Sequence, residues 1–225
     1  MELTVENRQV LLTAHKTYSE VDGLQSLRDF AEYPPLCTYL AECAKSGPIP
    51  NAVVVRHLDR VAHRITGAVV DLVYQDACIG RQTEHVLRLT SARPAVLLPI
   101  LVVKGQRYAL LVRQVEASQG FAIVTTAMRG VVNTEGGFAS DIYASALEEV
   151  GIRVADATPL SSTAFNMGNE GDPPIHLFTL TTSCDEELAE QLNEDPCFAL
   201  VMLKDVFAAG DAAASLAVSL ILATA

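Results

Sequence analysis

Apolar positions along the chain fall into blocks whose spacings predict different elements. Over residues 34–45, Leu36, Tyr39, Leu40 and Cys43 recur at i, i+3, i+4 and i+7, behind two prolines suited to a first helical turn and ahead of Gly47. That spacing predicts a helix with one buried face. Residues 53–55 and 65–73 are rich in Val and Ile with polar residues between them, which predicts strands. Residues 96–103 form a continuous apolar run, Lys104, Gly105 and Gln106 a turn, and residues 108–112 a second run, together a buried hairpin or sheet corner. A third strand is expected at 121–126, a glycine-containing loop at 130–137 and a helix at 140–150, with Gly151 in the C′ position. Ile142, Tyr143, Ala146, Leu147 and Val150 make the apolar face of that helix, and Asp141, Ala144, Ser145, Glu148 and Glu149 the opposite one. Strands at 175–181 and 198–203 flank an acidic helix at 185–193. The tail, 212–225, is too short and too interrupted by Ser215, Ser219 and Thr224 for a membrane span, and is expected to pack as a helix. The order predicts an α/β fold: a helix-plus-strands subdomain over residues 1–93 and a mixed α/β sandwich over 94–225.

Composition narrows what such a fold would do. With 50% hydrophobic and 19% charged residues, disorder is excluded as a description of the chain. The net charge of -11 repels phosphate backbones and anionic lipid heads, so nucleic acid and membrane are not expected partners. The imbalance sits in residues 96–225, where counting gives 6 basic against 16 acidic side chains. The five cysteines are an odd number without a C-x-x-C pair, which fits free thiols in a reducing compartment, and the first residues lack a basic and apolar leader. A cytoplasmic location is expected.

One stretch suggests chemistry. A loop opening at Gly130 is followed by a helix ending in Glu148, Glu149, Val150, Gly151 and Ile152, and carboxylates on one helix can hold a hard divalent cation. This stretch resembles the Nudix box: G, five residues, E, seven residues, then R-E-U-x-E-E-x-G-U, with U aliphatic. Gly130 falls on the opening glycine and Glu148, Glu149, Gly151 and Ile152 on the closing E-E-x-G-U. The box arginine is Ala144 here, the glutamate after it Ser145, and the first glutamate Gly136, with Glu135 beside it.

Outside the box the chain is similar to the plant-type ADP-sugar diphosphatase branch of that family. Gly23-Leu24, Phe30, Pro35-Leu36 and Tyr39-Leu40 resemble its leading helices, and Gly67-Ala68-Val69-Val70 its sheet before the box. Arg93-Pro94-Ala95-Val96 resembles its entry strand, and the run from Tyr108 to Val115 its Y-A-x-L-x-E-Q-V strand, followed by Gly120 at the next turn. The segment from Gly168 to Phe178 resembles its acid-bearing loop, and Asp211-Ala212 also has a counterpart.

The resemblance implies a Nudix fold, a mixed-sheet α/β/α sandwich, with an N-terminal subdomain that helps build a homodimer. It implies hydrolysis of the pyrophosphate bond in a nucleoside diphosphate linked to a sugar, of the ADP-sugar or ADP-ribose class, with Mg²⁺ or Mn²⁺. Carried onto this sequence, Glu148 and Glu149 are the candidate metal ligands, supplemented by Asp141 or Glu135. Glu149, Glu170 and Asp172 are the candidate catalytic acids, and Arg129 and Gln114 the candidate substrate contacts. Glu116 stands where the family has an arginine for the diphosphate. Two outcomes follow: a hydrolase weakened by its eroded box, or a catalytically inactive module that binds a nucleotide or a protein.

Overall fold

The structure is a computed structural model and describes residues 1–18, 20–75, 82–116, 120–167 and 172–223. The backbone divides into two units, Met1–Ala92 with Gly168–Pro173, and Arg93–Met167 with Pro174–Ala225.

The first unit is built on a five-stranded sheet in chain order: β1 (Glu2–Val5), β2 (Arg8–Ala14), β3 (Ala52–Val61), β4 (Arg64–Gln75) and β5 (Gln82–Thr90). Only β2 and β3 pair in parallel, and a parallel pair needs a crossover. Two helices, α1 (Glu20–Ala31) and α2 (Pro34–Ser46), provide it. Helix α2 starts on its two prolines and ends where the Gly47 N–H donates to the Cys43 carbonyl at 2.9 Å. Alternate strand residues, among them Val10, Leu12, Val53, Val55, Val70 and Leu72, bury one sheet face against Phe30, Leu36 and Leu40.

The second unit holds an eight-stranded mixed sheet: β6 (Pro94–Val103), β7 (Gln106–Glu116), β8 (Ala122–Thr126), β9 (Met128–Val132), β10 (Phe138–Ala139), β11 (Thr158–Pro159), β12 (His176–Ser183) and β13 (Phe198–Met202). Strand β6 is its centre. It runs parallel to β12 on one edge, while its other edge is shared by β9, along residues 94–97, and β7, along residues 100–103. This explains why residues 96–103 are continuously apolar: both faces of the strand are covered. Ala95, Leu97 and Leu101 point into a core shared with α3 (Tyr143–Glu149) and α4 (Glu186–Glu194), whereas Val96, Leu98 and Ile100 meet α5 (Ala212–Ala223) on the other side. The layering is α/β/α.

Where β9 and β7 part, the sheet needs a stitch, and Asp211 supplies it. Its side chain is 8% exposed; Oδ2 accepts from the Ala127 N–H at 3.1 Å, and Oδ1 accepts from the N–H groups of Ala213 and Ala214 at 2.8 and 3.0 Å. One carboxylate thus caps α5 and ties it to the β8–β9 junction. No helix among the described residues is long and apolar enough to cross a membrane.

Two local expectations are corrected. Residues 130–137 are not all loop, because Gly130 lies within β9 and only the turn after Val132 is irregular. A glycine there lets β10 come close enough for pairing, as the contacts of a hypothetical side chain show: a Cβ at Gly130 would lie 2.3 Å from the Ala139 carbonyl oxygen. Ile142 is not on the buried side of the following helix but 76% exposed, and Ala144 packs against the core instead. The regular helix starts at Tyr143, three residues after the expected start at 140, leaving Ile142 in the turn before it.

Candidate functional site

Helix α3 is the element on which the sequence placed its chemistry. It is seven residues long, with the N–H of Tyr143 donating to the Ser140 hydroxyl at 3.4 Å. Its end is closed by backbone geometry: Gly151 takes φ 75°, its N–H donates to the Glu148 carbonyl at 3.0 Å, and the Ile152 N–H donates to the Leu147 carbonyl at 2.8 Å. This is a Schellman stop, completed by Leu147 and Ile152, which are both buried in the same core. The x-G-I part of the motif is therefore accounted for by helix termination.

Glu148 and Glu149 sit side by side at that end, both exposed. Successive helical residues point about 100° apart, so the two carboxylates diverge. Glu149 shares its face with Ser145, four residues earlier and also exposed, and Ser145 offers a hydroxyl where a third carboxylate would be needed. Asp141 lies in the turn ahead of α3, and Glu135 in the turn after β9; both are exposed. The Glu135 N–H donates to Asn133 Oδ1 at 3.0 Å, and Gly137 donates to the same oxygen at 2.8 Å, so Asn133 shapes this turn. Asp172 belongs to the first unit, 3.9 Å from Arg88. Glu170 lies outside the described residues.

Mg²⁺ demands near-octahedral oxygen coordination, and protein sites for it combine carboxylates held in one place. Among the described residues no three His, Cys, Asp or Glu side chains converge in that way. The donor set around α3, two diverging glutamates and a serine, does not fit a resident Mg²⁺ or Mn²⁺ ion.

The opposite end of α3 is better organised. Tyr143 leaves the helix toward β7, and its hydroxyl donates to Gln114 Oε1 at 3.5 Å. Burial raises the Tyr143 phenol above its ordinary pKa, and the nearby Arg129 charge pulls the other way. Tyr143 is thus hydrogen-bonded to one of the substrate contacts expected from the sequence and within electrostatic reach of the other. In the spacing alone Tyr143 has only a place on the apolar face, since a phenol at helical spacing looks like core. Below this group Thr126, opposite Val112 in the β7–β8 register, is buried with its hydroxyl unpartnered. His176, at the start of β12, has its pKa lowered by burial and by Arg93, which keeps the imidazole neutral at physiological pH.

No protein-family model matches the chain, and no curated protein matches it. Among solved structures, the crystal structure of an ADP compounds hydrolase is similar at 11% identity, covering 75% of this chain and 91% of that chain with a TM-score of 0.43. A likeness that loose carries no conclusion about activity. What the fold and the site define is a two-unit α/β protein whose second unit carries a Tyr143–Gln114 pair beside a short acidic-ended helix.

Proposed function

We propose that the second unit is a Nudix-like domain that binds a small molecule bearing a nucleotide diphosphate and does not hydrolyse it. The observation that carries this reading is what stands at the two positions where the box has its arginine and following glutamate. The Ala144 methyl packs against the core and offers no guanidinium to orient a glutamate, and Ser145 presents a neutral hydroxyl to solvent where the box has a charged carboxylate. The binding half of the reading rests on the Tyr143–Gln114 pair, which offers a phenol and an amide able to meet phosphate or ribose oxygens, with the Arg129 charge within electrostatic reach of Tyr143.

Purified protein incubated with ADP-ribose, ADP-glucose or UDP-glucose and Mg²⁺ or Mn²⁺ is expected to release nucleoside monophosphate no faster than a blank, with Glu149→Gln indistinguishable from the parent. Turnover abolished by Glu149→Gln would restore the weakened-hydrolase reading.

A protein partner is the second reading, and one feature favours it. At the β7–β8 hairpin Val115 and Ile123 stand opposite each other, 60% and 74% exposed, with Phe121 74% exposed next to them. Large apolar side chains left exposed as one contiguous group mark an interaction surface, whereas single ones do not.

A further inference from the structure

A separate opening lies on the sheet face that carries α3, at the other end of β7. It is a cavity of about 270 Å³ between α4 and the strands, and Tyr108 on its wall is six residues along β7 from Gln114. At a strand rise of about 3.3 Å per residue, the two places are roughly 20 Å apart. Its apolar surface comes from Val103, Ala189 and Leu200. Its polar edge is one stripe of α4, Glu186, Glu190 and Asn193, spaced i, i+4 and i+7.

Charge decides what can enter. Helix α4 and its two flanking residues carry Asp185, Glu186, Glu187, Glu190, Glu194 and Asp195, with no basic side chain among them. That field disfavours an anion and favours a cation. The rim already holds one cation, because the Lys104 ammonium from the β6–β7 turn is ion-paired with Glu186. Glu190, one turn further on, lines the same cavity as Val103, Ala189 and Leu200 and has no ion pair among the described residues.

We propose that this cavity is a binding site for an alkylammonium, with the hydrocarbon stem on Val103, Ala189 and Leu200 and the charged head on Glu190. The chemistry is shared by free aliphatic amines and by a lysine side chain of another protein. The site is independent of the nucleotide reading.

Titrations followed by calorimetry or ligand-observed NMR test it with n-pentylamine, 1-pentanol, 1,5-diaminopentane and Nα-acetyl-lysine N-methylamide. A charge-assisted hydrogen bond is equivalent to about a tenfold change in affinity, so n-pentylamine is expected to bind about tenfold tighter than 1-pentanol, and Glu190→Gln to remove that advantage. Glu187→Gln, on the same helix but outside the cavity wall, should change affinity less than about twofold if the site rather than the general acidity of α4 is responsible. Lys104→Ala frees Glu186 and is expected to strengthen 1,5-diaminopentane more than n-pentylamine. Tighter binding of the lysine derivative than of n-pentylamine assigns the site to a protein side chain, and the reverse assigns it to a free amine. Equal affinity for amine and alcohol, or equal losses from Glu187→Gln and Glu190→Gln, would overturn the proposal.

Discussion

Gly130→Ala is expected to destabilise the second unit by about 3 kcal/mol or more, the upper range for forcing extra volume into a packed site. The new Cβ would meet the Ala139 carbonyl oxygen at 2.3 Å and the Phe138 ring at 2.6 and 2.7 Å. Contacts under 3 Å cannot be absorbed without movement. The carbonyl belongs to the backbone of β10, so relief requires pulling β10 off β9 and shifting Phe138, whose ring packs 6.1 Å from that of Phe178 in the core. For a unit of this size the change corresponds to a fall in the thermal midpoint of roughly 10 °C, measurable by calorimetry or by circular dichroism. Gly47→Ala is the matched control. Its backbone is extended, with φ -157°, and a Cβ there meets nothing within 4 Å, so its midpoint should stay with the parent. If Gly130→Ala melted with the control, the close approach of β9 and β10 would be refuted.

Asp211→Ala is expected to be nearly as damaging, for a different reason. It removes the acceptor of three buried N–H groups, those of Ala127, Ala213 and Ala214. Hydrogen bonds to a charged acceptor contribute about 1.5–3 kcal/mol each, but the three share one carboxylate and are not additive, so a total of about 3–4 kcal/mol is expected. Asp211→Ser separates the two roles. A serine can cap α5 through Ala213 and Ala214, yet its shorter side chain cannot also reach Ala127, so it should recover about 1 kcal/mol, the worth of a typical cap. Denaturant titrations monitoring helix signal read both. Equal stability of the alanine and serine variants would mean that the cap contributes nothing.

The elements readable in the sequence are those whose signals are local. Helix α2 has its prolines and Gly47, α4 has Asp185, which accepts from the Leu188 N–H at 2.8 Å, and β6 has an unbroken apolar run. Hairpins show why other elements were missed. The turn between β6 and β7 uses Lys104 and Gly105, both at positive φ, and its glycine announces it. The turn between β1 and β2 uses Glu6 and Asn7 at φ 43° and 67°, and the turn after β3 puts Ala62 at φ 53°. Glu6 and Ala62 adopt the left-handed region because the strand pairing on either side imposes it, and nothing in their types foretells it; Asn7 alone is of a type that visits that region readily. The same distinction governs the site. A motif match at Glu148, Glu149, Gly151 and Ile152 is visible in one dimension, but that Gly151 and Ile152 end a helix, and that Tyr143 reaches Gln114, are facts of packing.

The nucleotide reading stands or falls on whether binding needs a metal. Calorimetric titration of ADP-ribose into the protein, once in excess chelator and once in Mg²⁺, measures this directly. The same dissociation constant within about twofold in both buffers, intact ligand recovered afterwards, and a loss of about tenfold in Arg129→Ala are predicted, the last being the worth of one charge-assisted contact to phosphate. Binding that appears only with Mg²⁺, or AMP in the recovered solution, would contradict the account.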